Sequence, residues 1–588
     1  MCSTFACSRE TRPWSVPSAA RRPVCADRVV AATRYGRRMH PRKADVVTPP
    51  ERRRHYLAAG HWDSSTLAGR VADHARARPD DLAVVDERGR YRYGQLRDDA
   101  SALASFLRDR GVDAASFVSV QLPNRYETVV VAAAVQSLGA TINPLLPNYR
   151  AHELQHVFTT ARPAVIFTPG DYRGFDHRTL VREVAAASGV APVHVVVGDR
   201  AFDDQIAYEY CIESTAPHDL DAGDAELISE LIFTSGTEAT SKAIMHTEQT
   251  ANFSVRVAHT DLGITNDDVV WMPSPVGHST GFNYGLRFAL YHGIPLVLQD
   301  QWDAAAAVEL VLREGCSYTL AATTFLQDLT ETARRSGTRL DSLRCFGCGG
   351  APVPPPLVDA AAQQGIQCLR LYGSTEVLVG TWNRPQSTVD QRRSTDGVAM
   401  SHVEIMIVDD DGNPVAANTP GEIVTRGPNT SVGLFGDAAR TAATYRPDGF
   451  VKSGDIATLD HDGYLTMVSR KKEIIIRGGL NIAPREIEEL LVAMPEIERA
   501  AVIGLPDERL GERMCACVVL RPGAQIDLPT VVDRLQAGGL AKFKLPQRLE
   551  VFDVLSATAS GKIQKHELVR IVTQERDQVS NADREKSR

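Results

Sequence analysis

The sequence lacks the features of several common protein classes. No uninterrupted apolar run approaches the ~18 residues of a transmembrane helix, so we expect no membrane span and a cytoplasmic location. Residues 1–45 lack the apolar core of ~7–15 residues that a secretory signal needs. We expect them to be a disordered or mis-assigned extension, with Met39 a plausible start, although their Arg-rich, acid-poor composition also fits an organellar transit peptide.

Two further absences concern charge and metal ligands. The net charge of -8 over 588 residues gives no reason to expect a nucleic acid as a partner. The ten cysteines include a C-x-x-C pair, Cys345 and Cys348, but no second pair of Cys or His follows at zinc-ligand spacing. Cys515 and Cys517 alternate along a predicted strand. We therefore expect reduced, buried cysteines, as in a cytosolic protein.

The common nucleotide-binding loop, G-x-x-x-x-G-K-[ST], is also missing, because Ser241 and Ala243 flank Lys242 where that pattern needs a glycine and a hydroxyl. A short apolar run nevertheless ends there in small polar residues, which are Thr234, Ser235, Gly236 and Thr237. Small residues after a strand let backbone N–H groups turn inward and bind phosphate oxygens. From this stretch alone, a different kind of phosphate loop and a plain polar strand-to-helix loop both remain open.

The pattern along the chain predicts two domains. From about Trp62, short apolar runs alternate with amphipathic segments, which is typical of an α/β fold with largely parallel sheets. Beyond Arg470 a charged stretch leads into a short α+β pattern. We place an N-terminal domain at 46–471, a C-terminal domain at 472–575 and a polar tail at 576–588.

Six motifs follow one another in a fixed order. They are Thr234–Lys242, Pro273–His278, Gly349–Ala351, Tyr372–Glu376, Ser453–Asp455 leading to Ser469–Gly479, and Thr558–Lys562. In this order they resemble the adenylate-forming (AMP-binding) superfamily of acyl- and aryl-CoA ligases, adenylation enzymes and luciferases. The resemblance covers about residues 60–572, and four further segments look most like medium-chain or alicyclic ligases of the cyclohexanecarboxylate-CoA ligase type. These segments are Val118–Asn124, Asn143–Pro147, Arg173–Asp176 and Arg477–Pro484.

The resemblance implies a large N-terminal domain of layered α/β subdomains and a small mobile α+β C-terminal domain. It also implies ATP, Mg²⁺ and CoA. A carboxylate is a poor electrophile and must first be activated. Its oxygen therefore attacks the α-phosphate of ATP and makes an acyl adenylate, from which a thiol then displaces AMP. Two anions approach each other in the first step, and the site must neutralise them.

Roles for individual residues follow from the resemblance. The residues expected to bind the β- and γ-phosphates are Thr234, Ser235, Gly236, Thr237 and Lys242. Those expected to contact the adenine are Tyr372, Gly349, Gly350 and Ala351, and further nucleotide contacts are expected from Gly373 and Ser374. Thr375 is expected at the α-phosphate, Glu376 at magnesium, Asp455 at the ribose hydroxyls and Arg470 at the ribose or phosphate. His278 is expected beside the acyl carboxylate, and Lys562 is expected to bridge that carboxylate and the α-phosphate.

Each of these residues has an ordinary structural alternative outside the family pattern. A tyrosine such as Tyr372 is more often a half-buried core residue, and a Thr-Glu pair at a strand end is more often a helix cap. Asp455 fits a Ser-Gly-Asp turn, a lone histidine after a strand is more often structural, and Lys562 is otherwise one exposed lysine among many.

The resemblance also assigns a conformational change. Lys472 corresponds to the hinge about which the C-terminal domain rotates after adenylation. The rotation removes the loop that carries Lys562 and brings in Gly478 and Gly479, which line the thiol channel. A few residues that absorb a large backbone change are ordinary hinge behaviour.

The phosphate loop departs from the commonest form of the family. Glu238 and Ala239 replace a Thr-Gly pair, Ser241 replaces proline and Ala243 replaces glycine. A carboxylate beside a triphosphate repels it unless the carboxylate faces away or helps to hold magnesium. We therefore hypothesise weaker ATP binding or an altered loop conformation, without loss of activity.

The acyl pocket indicates a class of acid rather than one acid. Hydroxybenzoate-adenylating enzymes usually carry asparagine after the histidine here numbered His278, whereas this chain has Ser279. Ser279, Thr280 and Gly281 are small, which favours a medium-chain or alicyclic acid. Three functions remain open, which are a CoA ligase, an enzyme that loads the phosphopantetheine of a carrier protein, and an inactive nucleotide-binding homologue.

Overall fold

The computed structural model describes residues 48–213, 220, 223–234, 241–477, 480–507, 510–538, 540, 542–558 and 563–574. These residues form two large β-sheets and a smaller antiparallel sheet up to Arg470, and a separate five-stranded sheet from Ile475 onward. The predicted fold class, a large layered α/β domain followed by a small α+β domain, is confirmed.

The first large sheet has seven strands. Their order across the sheet is Ala243–Thr247, Ile228–Phe233, Thr141–Pro144, Phe117–Val120, Val165–Pro169, Val193–Val197 and Ile206–Ala207. Every pairing is parallel except that between the first two strands. Parallel neighbours need crossover connections, and these contain the helices Tyr126–Ser137, Ala151–Ala161 and His177–Ser188. A small hairpin of Asp171–Tyr172 and Phe175–Asp176 and the helix Tyr208–Glu213 complete this region.

The second large sheet has nine strands, parallel in its centre and antiparallel at both edges. Their order is Val398–Ala399, Leu378–Trp382, Cys368–Ser374, Cys345–Gly349, Tyr318–Ala322, Val270–Met272, Leu296–Leu298, Leu82–Val85 and Arg90–Arg92. The helices around it are Pro50–Ala58, Leu67–Ala77, Tyr93–Asp109, Glu248–Asp261, Ser279–Gly281, Phe288–His292, Ala304–Glu314, Thr323–Ser336, Pro355–Gln363 and Val389–Ser394, and Phe282–Arg287 is a π-helix.

The main core lies between these two sheets. The helix Tyr126–Ser137 is predominantly apolar and is buried at every position except Glu127, as expected for a helix enclosed by protein. Val118 from the seven-stranded sheet and Leu296 from the nine-stranded sheet belong to the same buried cluster as this helix. The carboxyl ends of Cys345–Gly349 and Cys368–Ser374 supply residues to the cavity described below.

The third sheet is antiparallel and carries the connection to the C-terminal domain. Its strands are Glu404–Val408, Gly421–Arg426, Val451–Leu459 and Leu465–Arg470, with the helix Ala438–Thr444 beside them. Its register places Asp455 opposite Arg470. The chain then passes through the 3-10 turn Lys471–Glu473.

The C-terminal domain has a hydrophobic core of its own, which includes Ile487, Leu491, Val502 and Val518. Its strands are Leu480–Ile482, Ile475–Arg477, Gly511–Leu520 and Ile497–Asp507, with Arg548–Val551 paired to the third of them. Its helices are Pro484–Val492, Leu528–Ala537, the 3-10 turn Lys542–Lys544 and a helix at 565–574.

Three further expectations, about membrane spans, cysteines and metal ligands, can be compared with the described residues. No helix among them is long and apolar enough to cross a bilayer. Cys345, Cys348, Cys515 and Cys517 are buried free thiols, as predicted. The described part of the chain also holds no cluster of His, Cys, Asp and Glu that could bind a metal ion by itself.

Candidate active site

A cavity of about 690 Å³ brings together most of the described residues that the six motifs singled out. Its lining includes Thr234, Lys242, His278, Gly349, Gly350, Gly373, Ser374, Thr375, Glu376, Asp455, Arg470 and Lys472. A second cavity of about 270 Å³ shares Gly350, Asp455 and Arg470 with the first and adds Ala351 and Tyr372. Ser235, Gly236, Thr237, Gly478, Gly479 and Lys562 lie outside the described residues.

The strands on either side of residues 234–242 pair with each other. Ile228–Phe233 pairs antiparallel with Ala243–Thr247, and the backbone N–H of Thr234 donates to the carbonyl of Lys242 at 3.0 Å. The strand-to-helix alternative is therefore wrong. The segment Ala243–Thr247 is too short for a stable helix and is buried at every position, and these properties favour a strand at the sheet edge.

Lys242 and Glu376 meet at one end of the cavity. The Lys242 Nζ lies 3.6 Å from Glu376 Oε1, and both side chains are largely shielded from solvent. The backbone around Glu376 is fixed from two sides. The N–H of Ser431 donates to the Glu376 carbonyl at 2.8 Å, and His246 Nε2 lies 2.8 Å from the Thr375 carbonyl.

Asp455 and Tyr372 form a second bonded pair, and both line the second cavity. Asp455 is 3% exposed, and the Tyr372 hydroxyl donates to its Oδ2 at 3.0 Å. Arg470 Nε lies 3.1 Å from Asp455 Oδ1. Burial, and then the Asp455 charge, raise the pKa of Tyr372 well above its usual value, so the phenol keeps its proton. A buried carboxylate of this kind is an acceptor for donors that enter the cavity.

The groups that line the cavity fit a magnesium-bound nucleotide. Gly350 and Gly454 have φ of +79° and +72°, and a Cβ at either position would meet no atom within 4 Å, so the backbone borders open space there. Lys242 supplies positive charge for phosphates and Asp455 an acceptor for hydroxyls. Glu376 offers the carboxylate oxygen that Mg²⁺ prefers.

His278 lies further along the same cavity. Its Nδ1 accepts from the backbone N–H of Thr280 at 3.2 Å and caps the helix Ser279–Gly281. Burial lowers the pKa of His278 to about 4. The ring is therefore neutral at neutral pH and carries its proton on Nε2. Beyond it, the Tyr284 hydroxyl accepts from the Val379 N–H at 2.9 Å and forms part of the lining.

The C-terminal domain closes one side of the cavity. Lys565 and His566, on the helix that follows the Lys562 loop, belong to the lining. Lys565 Nζ lies 3.1 Å from Glu473 and 2.8 Å from Glu488. Burial opposes the charge of Lys565, but Glu488 and Glu473 outweigh it and raise the pKa of this lysine.

The sequence patterns did not identify three residues of the site, which are His246, Tyr284 and Lys565. Lys565 follows Lys562 by three residues, so its proximity to the motif was the available signal. Tyr284 and His246 stand in apolar segments, where a tyrosine and a histidine ordinarily belong to the core. Only their contacts across the fold, to Val379 and to Thr375, show that they border the site.

Comparison with known proteins identifies the family. The family model for the AMP-binding enzyme matches residues 71–435, and the model for the AMP-binding enzyme C-terminal domain matches residues 486–562. The chain is 33% identical to the medium-chain fatty-acid–CoA ligase of Escherichia coli K12 over 89% of this chain and 93% of that protein. It is 30% identical to the salicyl-AMP ligase/salicyl-S-ArCP synthetase of Mycobacterium tuberculosis, over 89% of this chain and 94% of that protein.

A solved structure gives the same result. ATP-bound MatB from Rhodopseudomonas palustris superposes with a TM-score of 0.79 at 26% identity, over 87% of this chain and 99% of that one. Fold and cavity thus define an adenylate-forming ligase. The chain belongs to the AMP-binding enzyme family.

Proposed function

We propose that this chain is an ATP-dependent acid–thiol ligase that joins a carboxylic acid to CoA and releases AMP and pyrophosphate. The observation that carries the proposal is the arrangement of one cavity. Lys242, Glu376 and Asp455 all line it, and a neutral His278 lies in the same lining beside small side chains. Charge-neutralising groups and an apolar-walled space in one cavity are what adenylation of a carboxylate needs.

The first half-reaction forms an acyl–phosphate bond. A carboxylate oxygen attacks the α-phosphorus of ATP, the bond to the β-phosphate oxygen breaks, and pyrophosphate leaves. Lys242 and the Thr234 hydroxyl bind the β- and γ-phosphates, Thr375 contacts the α-phosphate and Asp455 accepts from the ribose hydroxyls. Lys562 stabilises the charge at the reacting centre. Glu376 would hold magnesium, whose charge would further neutralise the phosphates.

The second half-reaction makes the thioester. The thiol sulfur of CoA attacks the acyl carbon and loses its proton to solvent, and AMP leaves with the bonding electron pair.

His278 is assigned to the first half-reaction. There its Nε2–H donates to the acyl carboxylate and orients it, since Nδ1 is already engaged by Thr280. Its pKa of about 4 keeps the imidazole from acting as a second cation there.

The acid is proposed to be a medium-chain or alicyclic carboxylic acid. Ser279 and Thr280 leave space beside His278, and Leu320, Leu378 and Val379 give that space apolar walls. The relative from Escherichia coli, whose name states medium-chain fatty acids, supports the same class.

Loading of a carrier protein is the second candidate function. It uses the same thiol chemistry, and the name of the Mycobacterium tuberculosis relative includes such a carrier (ArCP). An inactive nucleotide-binding protein is disfavoured because Lys242, Glu376 and Asp455 are present and lie around one cavity.

The boundary between the domains is proposed at Lys472. Lys471 binds the large domain through Asp410 at 2.7 Å and Glu422 at 3.4 Å. On the other side, Glu473 binds Lys565 of the small domain. Ion pairs thus hold each neighbour of Lys472 to a different domain, which supports 46–471 and 472–575 as the two units and Lys472 as the hinge.

The test is release of pyrophosphate from ATP and Mg²⁺ over a panel of straight-chain, alicyclic and aromatic acids, with and without CoA. Turnover that needs CoA and yields an acyl-CoA is the expected result. Pyrophosphate exchange without a CoA product would favour carrier loading. If no acid of the panel causes pyrophosphate release above the level of Lys562→Ala, both the CoA ligase and the carrier-loading function are contradicted.

A further inference from the structure

His246 is a buried group to which the proposed reaction gives no part. It lies in the strand Ala243–Thr247, four residues after Lys242, and is 0% exposed. Each ring nitrogen has a partner. Nε2 lies 2.8 Å from the carbonyl oxygen of Thr375, and Nδ1 lies 3.1 Å from Oγ1 of Thr250. A carbonyl oxygen can only accept, so Nε2 carries a proton and donates it.

This bond joins the strand behind Lys242 to the loop of Thr375 and Glu376, which is 129 residues away in sequence. The same loop is held on its other side, where the Ser431 N–H donates to the Glu376 carbonyl. The segment of Ser431 in turn pairs with the strand of His246, since the Val432 N–H donates to the Met245 carbonyl at 2.9 Å. The three segments therefore form a closed ring of hydrogen bonds around the carbonyls of Thr375 and Glu376.

We propose that His246 is a positioning residue, which fixes the Thr375–Glu376 peptide relative to Lys242 and so sets the geometry for a magnesium-bound triphosphate. The inference rests on the proposed function of Glu376 and Lys242. Lys242 Nζ and Glu376 Oε1 stand 3.6 Å apart across the ring, so the position of the Thr375–Glu376 peptide sets the distance between these two charges. His246 itself touches neither nucleotide nor acid.

Two amide substitutions distinguish the two hydrogen bonds of the His246 side chain, that to Thr375 and that to Thr250. In His246→Gln the amide nitrogen reaches the place of Nε2 and can still donate to the Thr375 carbonyl. In His246→Asn the shorter side chain reaches only the place of Nδ1, so it keeps the Thr250 side and loses Thr375. Both variants replace a buried imidazole by a buried amide, and they are therefore matched in polarity.

The experiment measures binding of ATP with Mg²⁺ and of adenosine by calorimetry, together with thermal melting. We expect His246→Asn to weaken binding of magnesium–ATP about ten- to hundredfold, as loss of a supporting hydrogen bond behind a ligand group typically does. Adenosine binding stays unchanged, since Tyr372 bonds to Asp455 and neither side chain belongs to the ring of hydrogen bonds around Thr375 and Glu376. His246→Gln restores magnesium–ATP binding to within about threefold of the wild type.

Equal losses in both variants, or parallel losses for adenosine and magnesium–ATP, would show a purely structural role and overturn the proposal. If His246→Asn does not fold, His246→Gln decides by itself, because a tenfold loss there contradicts the expected rescue. The binding readout needs no acid. A wild-type chain that turns over no acid would contradict the proposed function and leave this comparison intact.

Discussion

Lys242 Nζ lies 3.6 Å from Glu376 Oε1, although Lys242 immediately precedes a strand of the seven-stranded sheet and Glu376 follows a strand of the nine-stranded sheet. The cation expected at the β- and γ-phosphates and the carboxylate expected at magnesium thus partly neutralise each other before a nucleotide binds. A charge pair that is already in place needs little rearrangement when magnesium–ATP arrives, and such preorganisation is what makes electrostatic stabilisation effective.

Replacing Glu376 by glutamine tests this end of the site. Glu376→Gln keeps the shape but removes the anionic oxygen, so we expect pyrophosphate exchange to fall on the order of a hundredfold and its dependence on Mg²⁺ to shift to higher concentrations. The measurement is exchange at varied Mg²⁺. Glu309→Gln is the matched control, because Glu309 is exposed on the helix Ala304–Glu314 and does not line the cavity. Equal losses in the two variants would contradict the role of Glu376.

Tyr372 and Asp455 allow a separate test of the contacts expected with the adenine and the ribose. Tyr372→Phe removes one hydrogen bond to Asp455 and keeps the ring, so we expect the KM for ATP to rise only about threefold. Tyr372→Ala also removes the stacking surface and is expected to raise it on the order of tenfold or more. If the phenylalanine and alanine variants have the same KM, the ring does not stack on the base.

Lys562 is expected to serve only the first half-reaction. Lys562→Ala should lower pyrophosphate exchange at least about a hundredfold, because a charge at the transition state loses its partner. Thioester formation from a supplied acyl adenylate and CoA should remain within about threefold of the wild type. Lys452→Ala, at an exposed lysine, is the control for both assays. Loss of both half-reactions in Lys562→Ala would assign this lysine a structural role.

Buried histidines predict the dependence of stability on pH. Burial lowers the pKa of His194 and His278 to about 4 and that of His292 to about 3, against 6.5 for an unfolded histidine. Below pH 6.5 the unfolded chain therefore binds protons that the folded chain does not, so stability falls as the pH drops from about 6.5 towards 4 and is flat above. Thermal melting between pH 7.5 and 5 measures this.

A variant isolates one of these histidines. His194→Gln removes one titrating group while keeping a polar side chain near Thr168 Oγ1. Its melting temperature should depend less steeply on pH between 6.5 and 5 than that of the wild type. A melting temperature that does not change over this range in the wild type would contradict the predicted direction.

The unusual phosphate loop gives the last prediction. If the Glu238 carboxylate repels the triphosphate, Glu238→Thr should lower the KM for ATP while kcat changes little, since a repulsion present in both the ground and the transition state affects binding alone. Steady-state kinetics at saturating acid measures it. An unchanged KM would mean that the carboxylate faces away from the phosphates.

The sequence by itself determined the local elements and their order. The helices Ala304–Glu314 and Pro484–Val492 begin at positions that local residues specify, because Asp303 caps the first and a proline begins the second. The order of six short motifs indicated the family, which the family models confirm. Hydrophobic periodicity, capping and turn residues act over a few positions, so they can be read without the fold.

Only the tertiary structure decided which distant residues meet. Lys242 with Glu376, Tyr372 with Asp455, and His246 with the Thr375 carbonyl are pairs separated by many residues, and strand order and register bring them together. Ala243–Thr247 is a strand for the same reason, since it is stabilised by antiparallel pairing with Ile228–Phe233 at the sheet edge. Burial in the folded chain also decided that both ring nitrogens of His246 bond to protein groups in place of water, which no local pattern specifies.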